Sequence, residues 1–410
     1  MQIDFFNIFY IFISLICLCS VGYLIFAIIA VELFNRKRQV LDKPNEFHPA
    51  VTIFKPIYGL DPEMEKNLRS FCQQDYPEYQ VIFGLHSKND PAIPIVKKLI
   101  REFNHVDISY IVDPRIYGSN QKVSNLINMH PSAKHDYLLI ADSDMRVPAN
   151  YLANVMSPFA DEQVGAVTCL YSGSARGKLS STLNAMFINE WFLPSVLISR
   201  ILQPLKYCLG ATMVVRRELL DNMGGFHALT NYLADDYMLG KYVSEQGYKI
   251  HLSDFVVENI IEEPSYKDLF LHELRWARTL KTVEPWGFFF TFLTDTFVLS
   301  LVFAITSYQF GEHWFLSSLP VLFVLIARFI LHRRIKPVVN TSHTGSFWLI
   351  PLRDTLSFFI RLISFTGSSI QWRNNSFSVD TTGLISYQGQ LQPDLEAAEE
   401  LPGLVTNQEY

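Results

Sequence analysis

Three kinds of hydrophobic pattern follow one another along this chain. Residues 5–33 are almost uninterrupted apolar positions with no charge before Glu32, a run longer than the roughly 20 residues that cross a bilayer. Arg36, Lys37 and Arg38 come next. No cationic stretch precedes the run and it is too long for a secretory signal, so it predicts a retained anchor over 1–35. From Ala50 to about Val257 short β-branched runs alternate with amphipathic segments, the pattern of an α/β domain with a mainly parallel sheet. Strands are expected at 51–54, 80–85, 106–112, 137–141, 165–170, 211–215 and 249–252, and helices at 61–72, 92–103 and 266–281. Segment 180–201 carries large apolar side chains on more than one face. It reads either as a core helix or as an amphipathic segment leaning on a membrane or lining an acceptor pocket.

Hydrophobicity returns after Glu284-Pro285-Trp286. Residues 287–310 read as one membrane span and 314–331 as a second. A third apolar stretch, 346–370, contains Arg353, Asp354 and Arg361, charges too costly in hydrocarbon for simple insertion. It is expected to be interfacial, re-entrant, or a span whose charges face other helices. The organisation is therefore an anchor (1–35), a catalytic α/β domain (50–282), a C-terminal membrane region (283–373) and an acidic tail (388–410) expected to be disordered.

Composition agrees with a chain that lives partly in lipid: 49% of residues are hydrophobic, 32 are Phe and only 18% are charged. The net charge of −6 is concentrated in the tail, at Asp394, Glu396, Glu399, Glu400 and Glu409. The body is close to neutral, which excludes a broad basic face for nucleic acid. The five cysteines lack ligand-like or disulfide-like spacing. Cationic clusters at 36–38 and 332–336 both predict cytoplasmic ends, with the N-terminus outside and the α/β domain in the cytoplasm.

Candidate chemistry begins at Asp142-Ser143-Asp144, which closes the apolar run 137–141. Paired carboxylates at the C-terminal end of a parallel strand can hold Mg²⁺ or Mn²⁺ and, through it, a diphosphate leaving group. Asp90 falls at an earlier strand end, where it can accept the imide N–H of uracil or cap the next helix. Asp235-Asp236 supplies a base candidate, Asp236, because adjacent carboxylates raise one proton affinity. Read singly, the same pair also suits a helix start. Arg275 and Trp276 suit either a grip on diphosphate oxygens with a wall at the acceptor, or an interfacial anchor.

The order and spacing of Asp90, Asp142-x-Asp144, Asp236 and Arg275-Trp276 resemble the inverting, membrane-associated glycosyltransferases of the GT-A nucleotide-sugar-binding fold. More narrowly the chain resembles the ceramide glucosyltransferase family, through Lys55-Pro56-Ile57-Tyr58-Gly59-Leu60-Asp61-Pro62, Asp75-Tyr76-Pro77, Asn89-Asp90-Pro91-Ala92-Ile93, Lys122-Val123-Ser124-Asn125-Leu126 and Gln371-Trp372-Arg373. The resemblance covers roughly 50–373. It implies that Lys55, Asp90, Lys122 and Asp142 serve the UDP-sugar, Asp142 and Asp144 the divalent cation, Asp236 the acceptor proton, and Arg275 with Trp276 the diphosphate and acceptor end. Three departures stand out: His272 where the family has Gln or Arg, Asp-Ser-Asp in place of Asp-Ser-Gly, and Phe192-Leu193-Pro194 in place of His-Pro. They draw the chain toward the bacterial hopanoid-biosynthesis branch. The resemblance thus implies transfer of N-acetylglucosamine or glucose to a membrane lipid such as bacteriohopanetetrol, at the bacterial cytoplasmic membrane. Ceramide as acceptor is the alternative, and a processive polysaccharide synthase would need more spans. The partners implied are the bilayer and its lipid acceptor, and no protein partner is indicated.

Overall fold

The computed structural model describes residues 5–40, 47–339, 345–372, 375–380, 382–387 and 403–406. In chain order the elements are α1 (Phe5–Val40), β1 (Val51–Pro56), α2 (Met64–Cys72), β2 (Tyr79–Leu85), α3 (Ile93–Glu102), β3 (Asp107–Val112), α4 (Gln121–Met129), β4 (Tyr137–Ala141), β5 (Met145–Arg146), α5 (Tyr151–Met156) and β6 (Val164–Ala175). Then come α6 (Leu179–Phe187), α7 (Leu193–Leu202), β7 (Thr212–Arg216), α8 (Arg217–Asn222), α9 (Asp235–Glu245), β8 (Lys249–Ile261), α10 (Tyr266–Val283) and α11 (Pro285–Phe290). The chain closes with α12 (Thr296–Gln309), α13 (Trp314–Val339), α14 (Ile350–Ser364), β9 (Ser369–Trp372), β10 (Asn375–Val379), β11 (Ile385–Tyr387) and β12 (Gly403–Thr406). These elements form two compact units: an α/β unit of Val40–Ser172, Gln203–Ile261 and Ser369–Tyr410, and a helical unit of Met1–Gln39, Gly173–Leu202 and Glu262–Ser368. Segments 173–202 and 262–282, read from sequence as part of the α/β domain, thus pack with the membrane helices.

In the α/β unit the sheet order is β12-β3-β2-β1-β4-β7-β6-β8-β5. Strands β3, β2, β1 and β4 run parallel, as the alternation of strands and helices predicts, and from β4 to β7 and β6 the pairing is antiparallel. The central strands are buried on both faces, which is why they read as continuous apolar runs: Val51, Ile53, Phe54, Val81, Ile82, Phe83 and Leu138 through Ala141 have no exposed surface. Amphipathic α2 covers the sheet with Met64, Leu68, Phe71 and Cys72. A separate sheet, β11-β10-β9, packs Ile370, Phe377, Val379 and Ile385 around Leu233. Part of the tail expected to be disordered is strand: β12 pairs antiparallel with β3, whose edge offers unpaired backbone groups. The remainder of the tail, 388–402 and 407–410, lies outside the described residues, as does Arg373 of the closing motif.

Among the described residues of the helical unit three helices are long and apolar enough to cross a membrane: Asn7–Arg38, Leu179–Leu202 and Trp314–Val339. The second is α6 and α7 joined through a π-helical turn, Ile188–Phe192. The stretch expected to span at 287–310 comprises two helical pieces, Pro285–Thr294 and Thr296–Gln309, bent by 60°, the shape of a broken span or of a re-entrant loop. Asp295 stands at the break, 2% exposed, and its carboxylate takes a hydrogen bond from Arg361. A buried carboxylate mid-span is what a straight insertion cannot accommodate. Helix α14 has 15 residues, about 22 Å at helical rise and short of a bilayer core. Its charges face protein: Arg353 grips Glu273 through two bonds of 2.6 Å, and Asp354 pairs with Arg328 at 2.7 Å. The cationic ends of α1 and α13 lie side by side, with Arg334 3.1 Å from Glu32 and Arg38 donating to the Val338 carbonyl at 2.9 Å.

One tight approach in the α/β unit fixes the start of α9. A Cβ placed at Gly240 would collide with the backbone of Tyr207 and Cys208, and the Cys208 N–H donates to the Asp236 carbonyl at 3.4 Å. Gly240→Ala is therefore expected to lower stability by about 1–3 kcal/mol through overpacking. Melting of the full-length protein in detergent checks this, and an unchanged midpoint would show that the 207–208 loop backs away freely.

Candidate active site

The site forms where the parallel strands end. Pairing in register puts Phe54 beside Ile140, so Lys55 of β1 and Asp142, just past β4, meet at the same edge. Lys55 is fully buried, with its ammonium 3.8 Å over the Phe71 ring and donating to the Asp142 carbonyl. Burial drags this lysine down to about 7, against the pull of Asp142, Asp144 and Asp61. Its hydrogen bond goes to the backbone of the Asp142–Asp144 turn.

The turn that follows β4 is held from several sides. Asp142 N–H donates to Ala211 O at 3.2 Å, Ser143 Oγ bonds the Asp61 carboxylate, and Asn259 Nδ2 of β8 donates to Asp144 Oδ2 at 2.8 Å. The other oxygen, Asp144 Oδ1, is buried with no hydrogen-bond partner among the described residues. Burial, then the Asp142 and Asp61 carboxylates, push the Asp144 carboxyl well above its usual range. An orphaned carboxylate oxygen beside a second carboxylate fits a hard cation. Among the described residues no group of three or more His, Cys, Asp or Glu side chains forms a metal cage by itself. Two carboxylates with the remaining positions left to phosphate oxygens is the arrangement Mg²⁺ commonly takes.

Lys122, in the first turn of α4, links the two acidic motifs. Its ammonium lies 2.6 Å from Asp142 Oδ1 and 3.9 Å from Asp235 Oδ2. Those carboxylates more than offset burial and raise its proton affinity. Asn120 caps the same helix, accepting from Val123 N–H at 3.1 Å, and its amide donates to Tyr232 O at 2.9 Å and Asp235 Oδ1 at 3.3 Å. Asp235 and Asp236 open α9, Asp235 buried and Asp236 half-buried. Burial, and next the Asp235 charge, push the Asp236 carboxyl up to about 6. A Cβ at Gly210 would stand 2.8 Å from Asp236 Oδ2, so only glycine leaves that oxygen uncrowded. The β9–β11 sheet braces the preceding loop through Leu233 N–H to Gly383 O at 3.1 Å and Ile385 N–H to Asn231 O at 2.8 Å.

Lys55, Lys122, Asp142, Asp144 and Asp236 thus converge in one electrostatically connected cluster. Asp90 spends one oxygen on Gly59 N–H and the other on Ala92 N–H, both at 2.9 Å, and so ties the Gly59 loop to the start of α3. Arg275 and Trp276 belong to the helical unit. There Trp276 packs edge-on against Phe187, Phe192 and His272, at 5.9, 5.7 and 5.9 Å. His272, the departure noted in the sequence, pairs with Glu263 at 2.7 Å. Sequence reasoning missed Asn120, Asn259 and Gly210. Asn120 carries a helix-cap signal, whereas Asn259 sits in a strand with none.

Comparison with known proteins gives this cluster a context. Ceramide glucosyltransferase 3 of Caenorhabditis elegans is 24% identical over 371 residues, covering 84% of this chain and 74% of its own. A ceramide glucosyltransferase of Komagataella phaffii is 39% identical over 121 residues, 28% of this chain and 24% of its own. Among solved structures, a mannosyltransferase from Pyrobaculum calidifontis in complex with GDP-Man and Mn²⁺ aligns with 86% of this chain and 99% of its own, at 17% identity and TM-score 0.48. The α/β unit has a GT-A-like architecture, and residues 12–385 match glycosyl transferase family 21. The chain belongs to that family, and it is a membrane-associated glycosyltransferase.

Proposed function

We propose that the protein moves a hexose from a UDP-sugar to the hydroxyl of a neutral membrane lipid, with inversion at the anomeric carbon and Asp236 as the base. The observation that carries the reading is the cluster in which Lys122 joins Asp142 to Asp235 and its neighbour Asp236. Asp236 takes the proton of the acceptor hydroxyl as its oxygen bonds the anomeric carbon, and the bond from that carbon to the diphosphate breaks with its electron pair leaving on UDP. A divalent cation held by Asp142 and Asp144 would supply charge neutralisation at the departing diphosphate. Lys122 orients Asp142, Lys55 holds its backbone, and Asp90 stands near the nucleotide end. Arg275 and Trp276 are assigned to the diphosphate and acceptor.

The names of the relatives favour UDP-glucose as donor and ceramide as acceptor. The bacterial reading rests on the three departures, at His272, at Asp142-Ser143-Asp144 and at Phe192-Leu193-Pro194, and the hopanoid reading on the run Phe192-Leu193-Pro194-Ser195-Val196-Leu197. A lipid acceptor suits a transferase with membrane helices, because the tail stays in the bilayer and about 0.8 kcal/mol per extracted methylene is avoided. The adjacent cationic ends of α1 and α13 support a cytoplasmic face for both.

Incubating membranes that contain the protein with each UDP-sugar and a lipid extract, then weighing the new glycolipid, identifies sugar and acceptor together. Asp236→Asn should retain UDP binding while transfer falls about 10²–10⁴-fold, and wild-type turnover in that variant would remove the base. Since Asp236 accepts a proton only when ionised, kcat/KM should fall as pH drops through about 6 and level off above it. A flat profile from pH 5 to 8 would contradict this. Excess chelator should abolish transfer, Mn²⁺ or Mg²⁺ should restore it, and Asp144→Ala should weaken metal-dependent donor binding. Full activity in chelator would overturn the metal role.

A further inference from the structure

The seam between α1 and α13 in the helical unit ends in an excess of positive charge. Residues 32–40 and 332–339 hold six Lys or Arg, namely Arg36, Lys37, Arg38, Arg333, Arg334 and Lys336, against the single carboxylate of Glu32. That carboxylate is divided: Oε1 takes a hydrogen bond from Arg36 of its own helix at 2.9 Å, and Oε2 one from Arg334 of the other at 3.1 Å. Asn35 donates to the Arg334 carbonyl and Arg38 to that of Val338, both at 2.9 Å, so side chains of α1 bind the last turns of α13. The side chains of Arg36 and Arg334 are 72% and 55% exposed, and Lys37, Arg333 and Lys336 are exposed as well.

A cationic stretch that only directs membrane insertion needs no particular side-chain arrangement. Here one carboxylate draws two guanidiniums together and leaves the three groups with a net positive charge, which a further anion would offset. The surface beside the cations describes the carrier of that anion. On α1, Ile29 and Leu33 lie at helical spacing on the face of Arg36 and Lys37, and on α13, Ile326 and Ile330 lie on the face of Arg333 and Arg334. All four are exposed apolar side chains. Leu33 precedes Arg36 by three positions and Ile330 precedes Arg334 by four, about 4.5 and 6 Å along the helix axis. A free anion would meet the cations and leave this apolar flank bare, whereas a neutral lipid would cover the flank and leave the charge.

We propose that this seam binds one anionic phospholipid, its phosphate among Arg36, Arg333, Arg334 and Lys336 and its acyl chains along Ile29, Leu33, Ile326 and Ile330. The site shares no residue with the carboxylate cluster of the α/β unit, and the lipid is a ligand there, not a substrate. Its phosphate bridges cations of two helices, so occupancy fastens α1 to α13. Basic clusters where membrane helices meet the head-group layer are suited to this, since each Lys or Arg there is attracted to anionic lipid.

Full-length protein in a neutral detergent is titrated with three probes: dioctanoyl phosphatidylglycerol, dioctanoyl phosphatidylcholine and inorganic phosphate. Native mass spectrometry counts the bound lipid, and the melting midpoint is followed in parallel. Phosphatidylglycerol should saturate at one molecule per chain and raise the midpoint, because a ligand that binds only the folded state stabilises it. The other two probes should leave the midpoint unmoved. Arg333→Gln and Lys336→Gln test the site without dismantling it, because neither side chain makes a hydrogen bond or ion pair among the described residues. Each variant should melt as wild type without lipid and bind phosphatidylglycerol about 5-fold more weakly, the share of one cation at a lipid surface. Uptake that does not saturate, equal binding of phosphatidylcholine, an equal shift from inorganic phosphate, or undiminished affinity in both variants would overturn the proposal. None of these readouts uses transfer activity, so the outcome is independent of which sugar and which acceptor the enzyme joins.

Discussion

The active cluster depends on holding four carboxylates close together against their mutual repulsion. Asp142, Asp144, Asp235 and Asp236 come from two chain segments, and burial raises the proton affinity of Asp144, Asp235 and Asp236. Lys122 stands between Asp142 and Asp235 and offsets part of that charge. Lys55 contributes from below, through the Asp142 carbonyl and its own positive field. Asp144 Oδ1 and Asp235 Oδ2 stay buried without a hydrogen-bond partner among the described residues, and the Asp236 carboxyl stays raised, an unmet demand that the proposed cation and the proposed proton transfer would answer.

The scaffold meets that demand by geometry rather than by additional charge. Strands β1 and β4 are adjacent and parallel, so their C-terminal ends deliver Lys55 and the Asp142–Asp144 turn to one edge. Asn259 and Asp61 fix the turn, and Asn120 couples the cap of α4 to Asp235. Gly240 lets the 207–208 loop lie against α9, and Gly210 leaves the Asp236 oxygen uncrowded. In the helical unit the same physics appears in a drier setting. Arg353 with Glu273, Arg361 with Asp295 and Arg328 with Asp354 are ion pairs with almost no exposed surface. Removing one partner from such a pair is far more damaging than the pair is stabilising, so these helices are tied to one another specifically.

Much of this architecture is legible in the sequence. Strands such as 137–141 announce themselves because both faces are buried, leaving no polar alternation to confuse the reading. The anchor is legible because an apolar run of that length has few other uses. The two acidic motifs were candidates because carboxylates at a strand end and at a helix start are chemically pointed, and their spacing fits a known family. Other features resist such reading. The 287–310 stretch is apolar enough for one span, yet Asp295 breaks it, and only its distant partner Arg361 shows why the break is tolerated.

Local chemistry and periodicity, then, determined the strand runs, the anchor, the acidic motifs and the family. Tertiary structure decided that Lys55 is buried and donates to the Asp142 carbonyl, that Asn259 steadies Asp144, and that 173–202 and 262–282 pack with the membrane helices. It also decided which oxygens were left without partners. The reason is physical: hydrophobic periodicity is written over a few neighbouring residues, whereas hydrogen bonds such as Glu190 to His332 or Asp144 to Asn259 join groups more than a hundred positions apart. No local pattern records that a distant partner has arrived, or that one is still wanting.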